Sequence, residues 1–485
     1  MSAVDSAGGG KAVDGIQRRM TEYAENLRFS ALTPEAVHAV NLRVLDTLGV
    51  LVAGFSGEPG RRLRNLAATM PHPAGATVLG TRMKTTPDMA AMVNATTMRY
   101  TEFTDVNHWP GSYHGHPSDV ITPLLAVAEH VQCTGRELIT SIVLAYEIYL
   151  RFAALLHNPA FDHTNLCCLS TAAGAGKLLK LSYEQYAHCI AMAVVPNNIL
   201  TQSRLEQKTT FKVAVTGLAG RAGVFAALLA RAGMKGPHLP FEGKAGWCDH
   251  VARERVSLGE MGGNGVRYKI LDTRIRHRAA MGETHSSIFA AEKLALKIGN
   301  VEDVRQVTVE VYKRARDLVG SRAHEWCWDP RTRESADNSL PYVVAAVLLN
   351  GTVNLSSYTD TQIWDPRLRA LLAKIDVVEN AEFTKAFDRV TVRDVDALRG
   401  YDRLAREHHT RITVRMGNGE QIVAQAGGDV DDISIQQKDS PIEEKFRSLT
   451  EDILGSKRTG KILESLRNLQ EIKNVTDIPP EFVIT

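Results

Sequence analysis

The sequence predicts a mainly α protein, built from a large all-helical domain and a smaller α+β domain. Apolar residues recur at helical spacing from about residue 15 to residue 233, and this spacing returns from Pro441 to Leu469. Alternating apolar and polar runs, which are typical of strands, occur only after about Leu271. A chain of 485 residues also exceeds the size at which one hydrophobic core keeps growing.

The helical region carries clear helix-start signals. Thr134-Gly-Arg-Glu137 and Ser182-Tyr-Glu-Gln185 are capping-box patterns, and each precedes apolar residues at helical spacing. Ser170–Leu179 and Thr216–Ala232 are rich in Ala and Gly, which lets helix axes approach closely. The second of these is expected to end at Gly233.

The α+β region is predicted from alternation. Val307–Tyr312, Arg389–Arg393 and Arg411–Arg415 alternate as half-buried strands do, and Gly417-Asn-Gly419 indicates a hairpin. The helical segments between the strands are Ser287–Lys297, Pro341–Leu349 and Pro366–Ile375. We therefore expect a disordered leader at residues 1–14, a helical domain at residues 15–271 and 434–485, and an α+β domain at residues 272–433.

Composition excludes several classes of protein. A net charge of +2 without a basic stripe gives no case for nucleic acid, although it is compatible with a local positive pocket. The apolar segments Leu45–Phe55 and Ile142–Leu156 are too short or too charged for membrane spans, so we expect buried helices. Residues 1–13 lack the apolar core of a secretory signal, which favours a soluble, cytoplasmic protein.

The cysteine pattern argues against a metal or disulfide framework. None of the six cysteines forms a C-x-x-C pair, and Cys167 and Cys168 are adjacent, which is poor geometry for a metal site. We expect reduced, buried thiols and no iron–sulfur cluster.

The segment Glu102–Asp119 is the strongest functional signal. It combines three imidazoles and three carboxylates in a run broken by proline and glycine. Turns in such a loop can direct several titratable groups at one point, so proton-transfer chemistry is predicted. A solvated polar loop is the alternative interpretation. The titratable residues are Glu102, Asp105, His108, His114, His116 and Asp119.

Two further residues suit an anionic ligand. His163 precedes the Ala/Gly-rich helix, and a helix N-terminus favours anions. Lys212 lies among apolar neighbours, where its charge is costly without an anionic partner, so we favour a substrate carboxylate. A hydrogen-bonded structural histidine and a surface lysine are the alternatives. Gly217, Gly220 and Gly223 do not follow a strand, and they indicate tight helix packing instead of a nucleotide-binding turn.

A basic segment begins the second region. Arg276 and Arg278 flank His277, shortly before Gly282-Glu-Thr-His285. Because arginine binds carboxylates bidentately, this segment suits a di- or tricarboxylate, with a solvated basic turn as the alternative. Tyr342 opens a later helix, where a core tyrosine is the default interpretation.

Taken in order, these segments resemble the MmgE/PrpD family, whose members include 2-methylcitrate dehydratase, cis-aconitate decarboxylase and iminodisuccinate epimerase. The resemblance covers nearly the whole chain. It is carried by Leu45-Asp-Thr-Leu-Gly49, Gly115-His-Pro-Ser-Asp119, Asp162-His-Thr164, Lys212 with Gly217, Ala219 and Gly223, the Gly236/Gly243 segment, Thr284-His285, and Glu334-Ser-Ala-Asp-Asn-Ser-Leu-Pro-Tyr342. It implies a helical domain formed by both chain ends, an α+β lid domain, a site between them, a homodimer, and catalysis without metal or organic cofactor.

The resemblance also implies site residues. His116 matches the histidine before Pro-Ser, His163 matches the histidine of the helix-entry loop, and Lys212, His285 and Tyr342 match the family's lysine, second-domain histidine and site tyrosine. The expected catalytic residues are His116, His163, Lys212, Glu102 and Tyr342, and the expected substrate-binding residues are Arg276, His285, Asp105 and His114.

Departures from the family pattern fall in the acidic segment. The usual Asp-Phe-Asp-Asp-Thr is here Glu102-Phe-Thr-Asp-Val106, and Arg276 stands where many relatives have lysine. Glu102 and Asp105 are still expected to orient the imidazoles and to favour their protonated forms. The Gly-His-Pro-Ser-Asp ending that contains His116 is more similar to the methylcitrate dehydratases than to the decarboxylases.

The predicted activity is that of a lyase on a small di- or tricarboxylate, of the 2-methylcitrate dehydratase type. Lys212, Arg276 and His163 would hold carboxylates and stabilise enolate-like charge. One of His116 and His163 would be the general base, and the other, or Tyr342, the acid. Decarboxylation or epimerisation on the same scaffold needs a similar intermediate, and a non-catalytic polycarboxylate-binding relative is a further alternative.

Overall fold

The computed structural model describes residues 14–107, 115–205, 208–388, 408–427 and 439–484. Most of these residues are helical, which confirms the predicted mainly α class. The longer helices span Gly15–Asn26, Pro34–Gly54, Glu58–Ala67, Pro87–Arg99, Ile121–Val131, Gly135–Ala153, Thr164–Leu178, Tyr183–Val194, Phe211–Arg231, His285–Ala295, Leu340–Asn350, Pro366–Leu372, Ala381–Asp388, Asp439–Leu454 and Ser456–Arg467. Shorter α-helices span Lys313–Ala315, Glu325–Trp328, Arg333–Ala336 and Asp360–Ile363.

The strands form three small sheets. They are β1 Pro71–Thr77, β2 Lys84–Thr85, β3 Val106–Asn107, β4 Thr273–Arg274, β5 Val304–Val311, β6 Ile375–Glu379, β7 His409–Met416 and β8 Gln421–Gly427. The largest sheet has the order β6-β5-β7-β8, with β5 and β6 parallel and the other pairs antiparallel. Helix His285–Ala295 packs on β7 and β8, as an α+β arrangement requires.

The register of this sheet explains the alternating sequence pattern. Val307 lies opposite Val414, Val309 lies opposite Ile412, and all four side chains are buried. Gly419, with φ +88°, supplies the left-handed residue that the hairpin between β7 and β8 needs. The predicted strands and hairpin are therefore confirmed, except that residues 389–393 lie outside the described residues.

The capping boxes are formed as predicted. Thr134 and Glu137 bond each other's backbone at the start of helix Gly135–Ala153, and Ser182 and Gln185 do so at the next predicted start. Two helices begin earlier than their Ala- and Gly-rich cores suggested. One begins at Thr164, with His163 as its N-cap residue, and the other begins at Phe211. His163 and Lys212 are thereby held at helix starts.

Close packing between the helices depends on glycine. A Cβ at Gly223 would lie 2.5 Å from the Cys168 carbonyl oxygen, and one at Gly217 would lie 2.5 Å from the Met92 carbonyl oxygen. Helix Phe211–Arg231 can therefore approach the backbones of its neighbours closely on both sides. This arrangement confirms that these glycines serve helix packing.

The C-terminal helices return to the helical part of the protein. Phe446 packs where Gly49 leaves room, and Lys445 Nζ lies 2.6 Å from Asp46 Oδ1. The predicted helical stretch from Pro441 to Leu469 consists of two helices, because Gly455 with φ +82° ends the first. The domain boundaries at residues 271 and 433 stay a prediction, and the leader lies almost wholly outside the described residues.

Three observations complete the fold. Strands β1 and β2 form a ladder within the region predicted to be all-helical, which corrects that prediction. The sequence does not indicate this ladder, because Pro71–Thr77 lacks the alternation by which strands are recognised. Helices Pro34–Gly54 and Phe211–Arg231 are long and apolar enough to cross a membrane, but 83% and 61% of their most apolar stretches are buried within the protein. All six cysteines are buried and unpaired, as predicted.

Candidate active site

A short antiparallel ladder brings two distant segments of the chain together. Val106 in β3 pairs with Arg274 in β4, so the chain after β4 runs beside the acidic segment. Arg276 Nη1 donates to the Glu102 carbonyl oxygen at 2.8 Å, and Nη2 lies 3.2 Å from Glu102 Oε1. Lys445 Nζ donates to the carbonyl oxygens of Phe103 and Arg276, both at 2.7 Å. The C-terminal helix therefore holds both segments in place.

A cavity of about 470 Å³ lies where these segments meet the two helix starts. Five of the predicted site residues line it, so residues far apart in sequence converge on one space. They are Glu102, His116, His163, Lys212 and Arg276. All five are buried. The rings of His116 and His163 lie edge to face, with centroids 5.2 Å apart.

Glu102 is the carboxylate around which the cations gather. Its oxygens lie 3.3 Å from Arg99 Nη2, 3.4 Å from Lys212 Nζ and 3.2 Å from Arg276 Nη2. Burial opposes ionisation, but these three charges outweigh it and hold the pKa of Glu102 well below its usual range. Its φ of 52° is a left-handed conformation that is uncommon outside glycine, as occurs where function constrains the backbone. Glu102 is therefore ionised, holds the three cations in place and is a poor proton acceptor.

His116 is held in a defined tautomer. Its Nδ1 lies 2.8 Å from the Asp105 carbonyl oxygen, which can only accept, so Nδ1 carries the proton. Arg276 Nη2 lies 2.9 Å from Nδ1 and 3.1 Å from Nε2, so this contact does not select a tautomer, and in a neutral ring whose Nδ1 carries the proton the lone pair falls on Nε2. Glu102 Oε1 is a further 3.6 Å neighbour of Nε2. An unprotonated Nε2 beside the cavity is the form that a general base needs.

Tyr149 gives His163 the opposite tautomer. The Tyr149 hydroxyl accepts from the His116 backbone N–H at 3.1 Å and lies 3.2 Å from His163 Nδ1. Within the described part of the chain, Nδ1 is the one acceptor in reach of the hydroxyl proton, so Nδ1 accepts and Nε2 carries the hydrogen. Asp162 Oδ1 is 4.0 Å from Nε2, too far to take that hydrogen. A protonated Nε2 that borders the cavity is the form that a general acid needs.

Both imidazoles are neutral, contrary to expectation. Burial lowers the pKa of His163 to about 3, and the opposing charge of Asp162 does not restore it. Burial, with the charges of Arg99 and Arg276, lowers the pKa of His116 well below its usual range. Glu102 acts to raise the pKa of both imidazoles, as expected, but desolvation and the surrounding guanidinium groups outweigh its charge, so the protonated forms are not reached.

Asp105 acts through its backbone, away from the cavity. Its carboxylate accepts from the Ser118 N–H at 2.9 Å and from the Tyr146 hydroxyl at 2.9 Å. It therefore orients His116 through its carbonyl oxygen, and it is not among the cavity-lining residues.

Two further predicted residues, Tyr342 and His285, have partners elsewhere in the fold. The Tyr342 hydroxyl donates to the Ser357 carbonyl oxygen at 2.7 Å, in keeping with a core tyrosine. His285 lies at the start of its helix, with Nε2 3.1 Å from the Ala280 carbonyl oxygen. Neither residue lines the cavity. His114, like His108, lies outside the described residues.

The sequence reasoning missed several groups. Arg204 and Lys208 line the cavity. With Lys212 they place a basic residue at every fourth position, and this spacing in the sequence could have identified them. Arg99 is fully buried beside Glu102, at the end of helix Pro87–Arg99. Tyr149 gave no signal, because an aromatic residue within an apolar helix is usually a packing residue.

The cavity has an excess of positive charge. In the described part of the chain, five lysine and arginine residues line it against three carboxylates. Such a surplus in a partly desolvated space favours a ligand with more than one negative charge. The cations are Arg204, Lys208, Lys212, Arg276 and Arg314, and the carboxylates are Glu102, Asp162 and Glu283. No cluster of three or more potential metal ligands occurs among the described residues, and cofactor-free catalysis stays a prediction.

Replacing Tyr149 with Phe is expected to separate the roles of the two histidines. The change leaves the buried His116 N–H without its acceptor and frees His163 Nδ1, so we expect about 1–3 kcal/mol of lost stability and a lower kcat. NMR of ¹⁵N-labelled histidine should show His163 losing its single Nε2–H tautomer.

Tyr146→Phe is the matched control. Tyr146 lies on the same helix, is equally buried and loses a buried hydrogen bond of its own, but its hydroxyl contacts Asp105 and no imidazole. An unchanged His163 tautomer in the Tyr149 variant, or the same change in both variants, contradicts the assignment.

A mainly helical protein with two complementary imidazoles in a cationic cavity is suited to acid–base chemistry on a small polyanion. Sequence comparison agrees with this class. The MmgE/PrpD N-terminal domain matches residues 18–257, and the MmgE/PrpD C-terminal domain matches residues 279–471. The chain belongs to the MmgE/PrpD family.

Similar proteins carry names of lyases. A mitochondrial 2-methylcitrate dehydratase of Yarrowia lipolytica is 24% identical over 412 residues, 80% of this chain and 76% of that protein. The 2-methylcitrate dehydratase of Escherichia coli is 24% identical over 75% of this chain and 77% of its own. A cis-aconitate decarboxylase-like protein of Aspergillus oryzae is 23% identical over 83% of both chains.

Proposed function

We propose that this protein is a lyase acting on a small polycarboxylate, and that its reaction is dehydration of a tricarboxylate of the 2-methylcitrate type. The observation that carries the proposal is the pairing of a proton-accepting His116 Nε2 with a proton-donating His163 Nε2 in one cationic cavity. The relatives named 2-methylcitrate dehydratase support the choice of substrate.

Substrate binding would use the cations around Glu102. Lys212 and Arg276 border the cavity and can donate to a carboxylate of the substrate. Loss of a proton from the adjacent carbon places negative charge on that carboxylate. Fixed ammonium and guanidinium groups stabilise this charge most when water is excluded, so the barrier to proton removal falls.

The two histidines would divide the proton transfers. His116 Nε2 takes the proton from the carbon next to the bound carboxylate. The electron pair forms the new carbon–carbon double bond as the carbon–oxygen bond to the hydroxyl group breaks. His163 Nε2 gives its proton to that oxygen, which converts its neutral ring to an imidazolate until a proton returns, and water leaves. The products are an unsaturated tricarboxylate and water, and solvent returns the histidines to their starting forms.

Purified protein should be offered 2-methylcitrate, citrate, cis-aconitate and iminodisuccinate. We expect ultraviolet absorbance of a new double bond with 2-methylcitrate and no release of carbon dioxide. Carbon dioxide release from cis-aconitate would instead support decarboxylation, which the decarboxylase-like relative brings into consideration. Epimerisation of iminodisuccinate without elimination would likewise overturn the proposed reaction.

If the protein is a non-catalytic relative, the same panel of polycarboxylates should give a different result. Polycarboxylates would then raise the melting temperature by mass action while none of the panel was consumed. This alternative was suggested by the altered segment Glu102–Val106. The buried Glu102 nevertheless contacts Arg99, Lys212 and Arg276, so the longer side chain still reaches the cations that an acidic residue there would organise.

A further inference from the structure

We propose that Lys208 forms a third-carboxylate subsite, which makes the cavity select tricarboxylates over dicarboxylates. The inference rests on the polycarboxylate substrate proposed above, and it adds which residue recognises the extra carboxylate. Lys208 is half-buried and lines the cavity just before helix Phe211–Arg231.

Lys208 differs from every other lysine and arginine that lines the cavity in the described part of the chain. The other four each have a carboxylate within ion-pair distance: Arg204 with Asp162, Lys212 and Arg276 with Glu102, and Arg314 with Glu283. Lys208 has none among the described residues. A lysine drawn out of water without a carboxylate is costly unless an anion arrives to pair with it.

The ammonium is held by an aromatic ring. Lys208 Nζ lies 3.2 Å from the centroid of the Trp326 ring, and the His324 ring stacks against the same ring with centroids 5.6 Å apart. Trp326 belongs to helix Glu325–Trp328 of the second half of the chain. A cation–π contact fixes the position of the ammonium but leaves its N–H donors available to a ligand.

The subsite uses a different cation from those at the reacting end of the cavity. Lys212 and Arg276 both contact Glu102, and Arg276 also contacts His116. A short dicarboxylate can pair with the two cations at that end. A further carboxylate would need a cation elsewhere in the cavity, and Lys208 provides it.

The protonation of Lys208 supports this role. Burial and the neighbouring charge of Lys212 lower its pKa to about 7, against weaker opposing effects of Cys327, Asp337 and Glu102. A carboxylate bound to Lys208 would raise this pKa again. Near pH 7.5 the lysine is then only partly protonated in the free protein and more fully protonated in the complex, so binding of a tricarboxylate takes up a fraction of a proton.

The experiment compares Lys208→Met with the native protein, using tricarballylate and succinate as ligands. Neither ligand has a hydroxyl group to eliminate, and succinate lacks one carboxymethyl arm. We expect Lys208→Met to weaken tricarballylate binding by about 10–100-fold, and to leave succinate binding nearly unchanged. Lys208→Arg should keep part of the preference. Lys235→Met, which removes an exposed lysine, is the control.

A second measurement needs no variant. Calorimetry of the native protein near pH 7.5, in buffers of different ionisation enthalpy, should show proton uptake with tricarballylate and little uptake with succinate. Equal weakening of both ligands by Lys208→Met, no weakening of either, or equal proton uptake with both ligands overturns the subsite alone. Failure of the native protein to bind any polycarboxylate overturns the proposed function, and the subsite with it.

Discussion

Replacing His116 with Asn is expected to lower kcat by about 10²–10⁴-fold while the protein stays folded. The Asn amide nitrogen can occupy the place of Nδ1 and donate to the Asp105 carbonyl oxygen as the imidazole does. The lone pair of Nε2, by contrast, has no counterpart in Asn. The variant therefore removes the proposed base and keeps the bond that orients it. Steady-state kinetics with 2-methylcitrate and a melting curve measure the two effects separately.

His130→Asn is the matched control. His130 also places Nδ1 near a backbone carbonyl oxygen, that of Ala74 at 2.9 Å, but this hydrogen bond is exposed and His130 does not line the cavity. The kcat of the His130→Asn variant should equal that of the native protein. A His116→Asn variant that turned over at the native rate would show that His116 is not the base.

The pH profile of the native protein tests the same assignment. A general base works in its unprotonated form, so activity falls as pH drops through its pKa. Because burial, Arg99 and Arg276 lower the pKa of His116 well below its usual value, the acid limb of kcat/KM should lie well below pH 6.5. An acid limb centred at or above pH 6.5 contradicts a buried, neutral His116.

The second large effect is expected for Lys212→Met. Methionine preserves the length and helix preference of the side chain at the first turn of helix Phe211–Arg231, so the fold should survive. Loss of the ammonium should weaken polycarboxylate binding by about 10–100-fold. It should also lower kcat by about 10²–10³-fold, because one charge that stabilises the intermediate is gone.

Lys212→Arg and Lys235→Met separate charge from geometry. Arginine keeps the positive charge but replaces a compact ammonium with a planar fork, so partial activity is expected. Removal of the exposed Lys235 should change neither binding nor turnover. Normal turnover by Lys212→Met would show that this lysine plays no part in the chemistry.

Much of the architecture could be predicted because its signals are local. Capping boxes at Thr134 and Ser182, alternation in β5 and β7, and the hairpin glycine Gly419 each depend on residues adjacent in sequence. The structure confirms all of these. The two-stranded ladder of Pro71–Thr77 was missed because its sequence carries no such signal.

The site was predicted in part. His116, His163 and Lys212 were identified from the sequence and line one cavity, whereas Tyr342 and His285 were identified in the same way and do not. Their motifs matched the family pattern equally well. Whether a side chain reaches a cavity or a core depends on helix packing, which no local pattern records.

The sequence by itself determined the helical class, the small sheet, the family and a set of candidate side chains, because hydrophobic periodicity and turn chemistry act over a few residues. Only the tertiary structure decided which imidazole presents a lone pair and which presents a proton. Those tautomers depend on an Asp105 carbonyl oxygen and a Tyr149 hydroxyl brought close by folding. The tertiary structure likewise left Lys208 without a carboxylate among the described residues, because the pairing of charges is a property of the packed cavity.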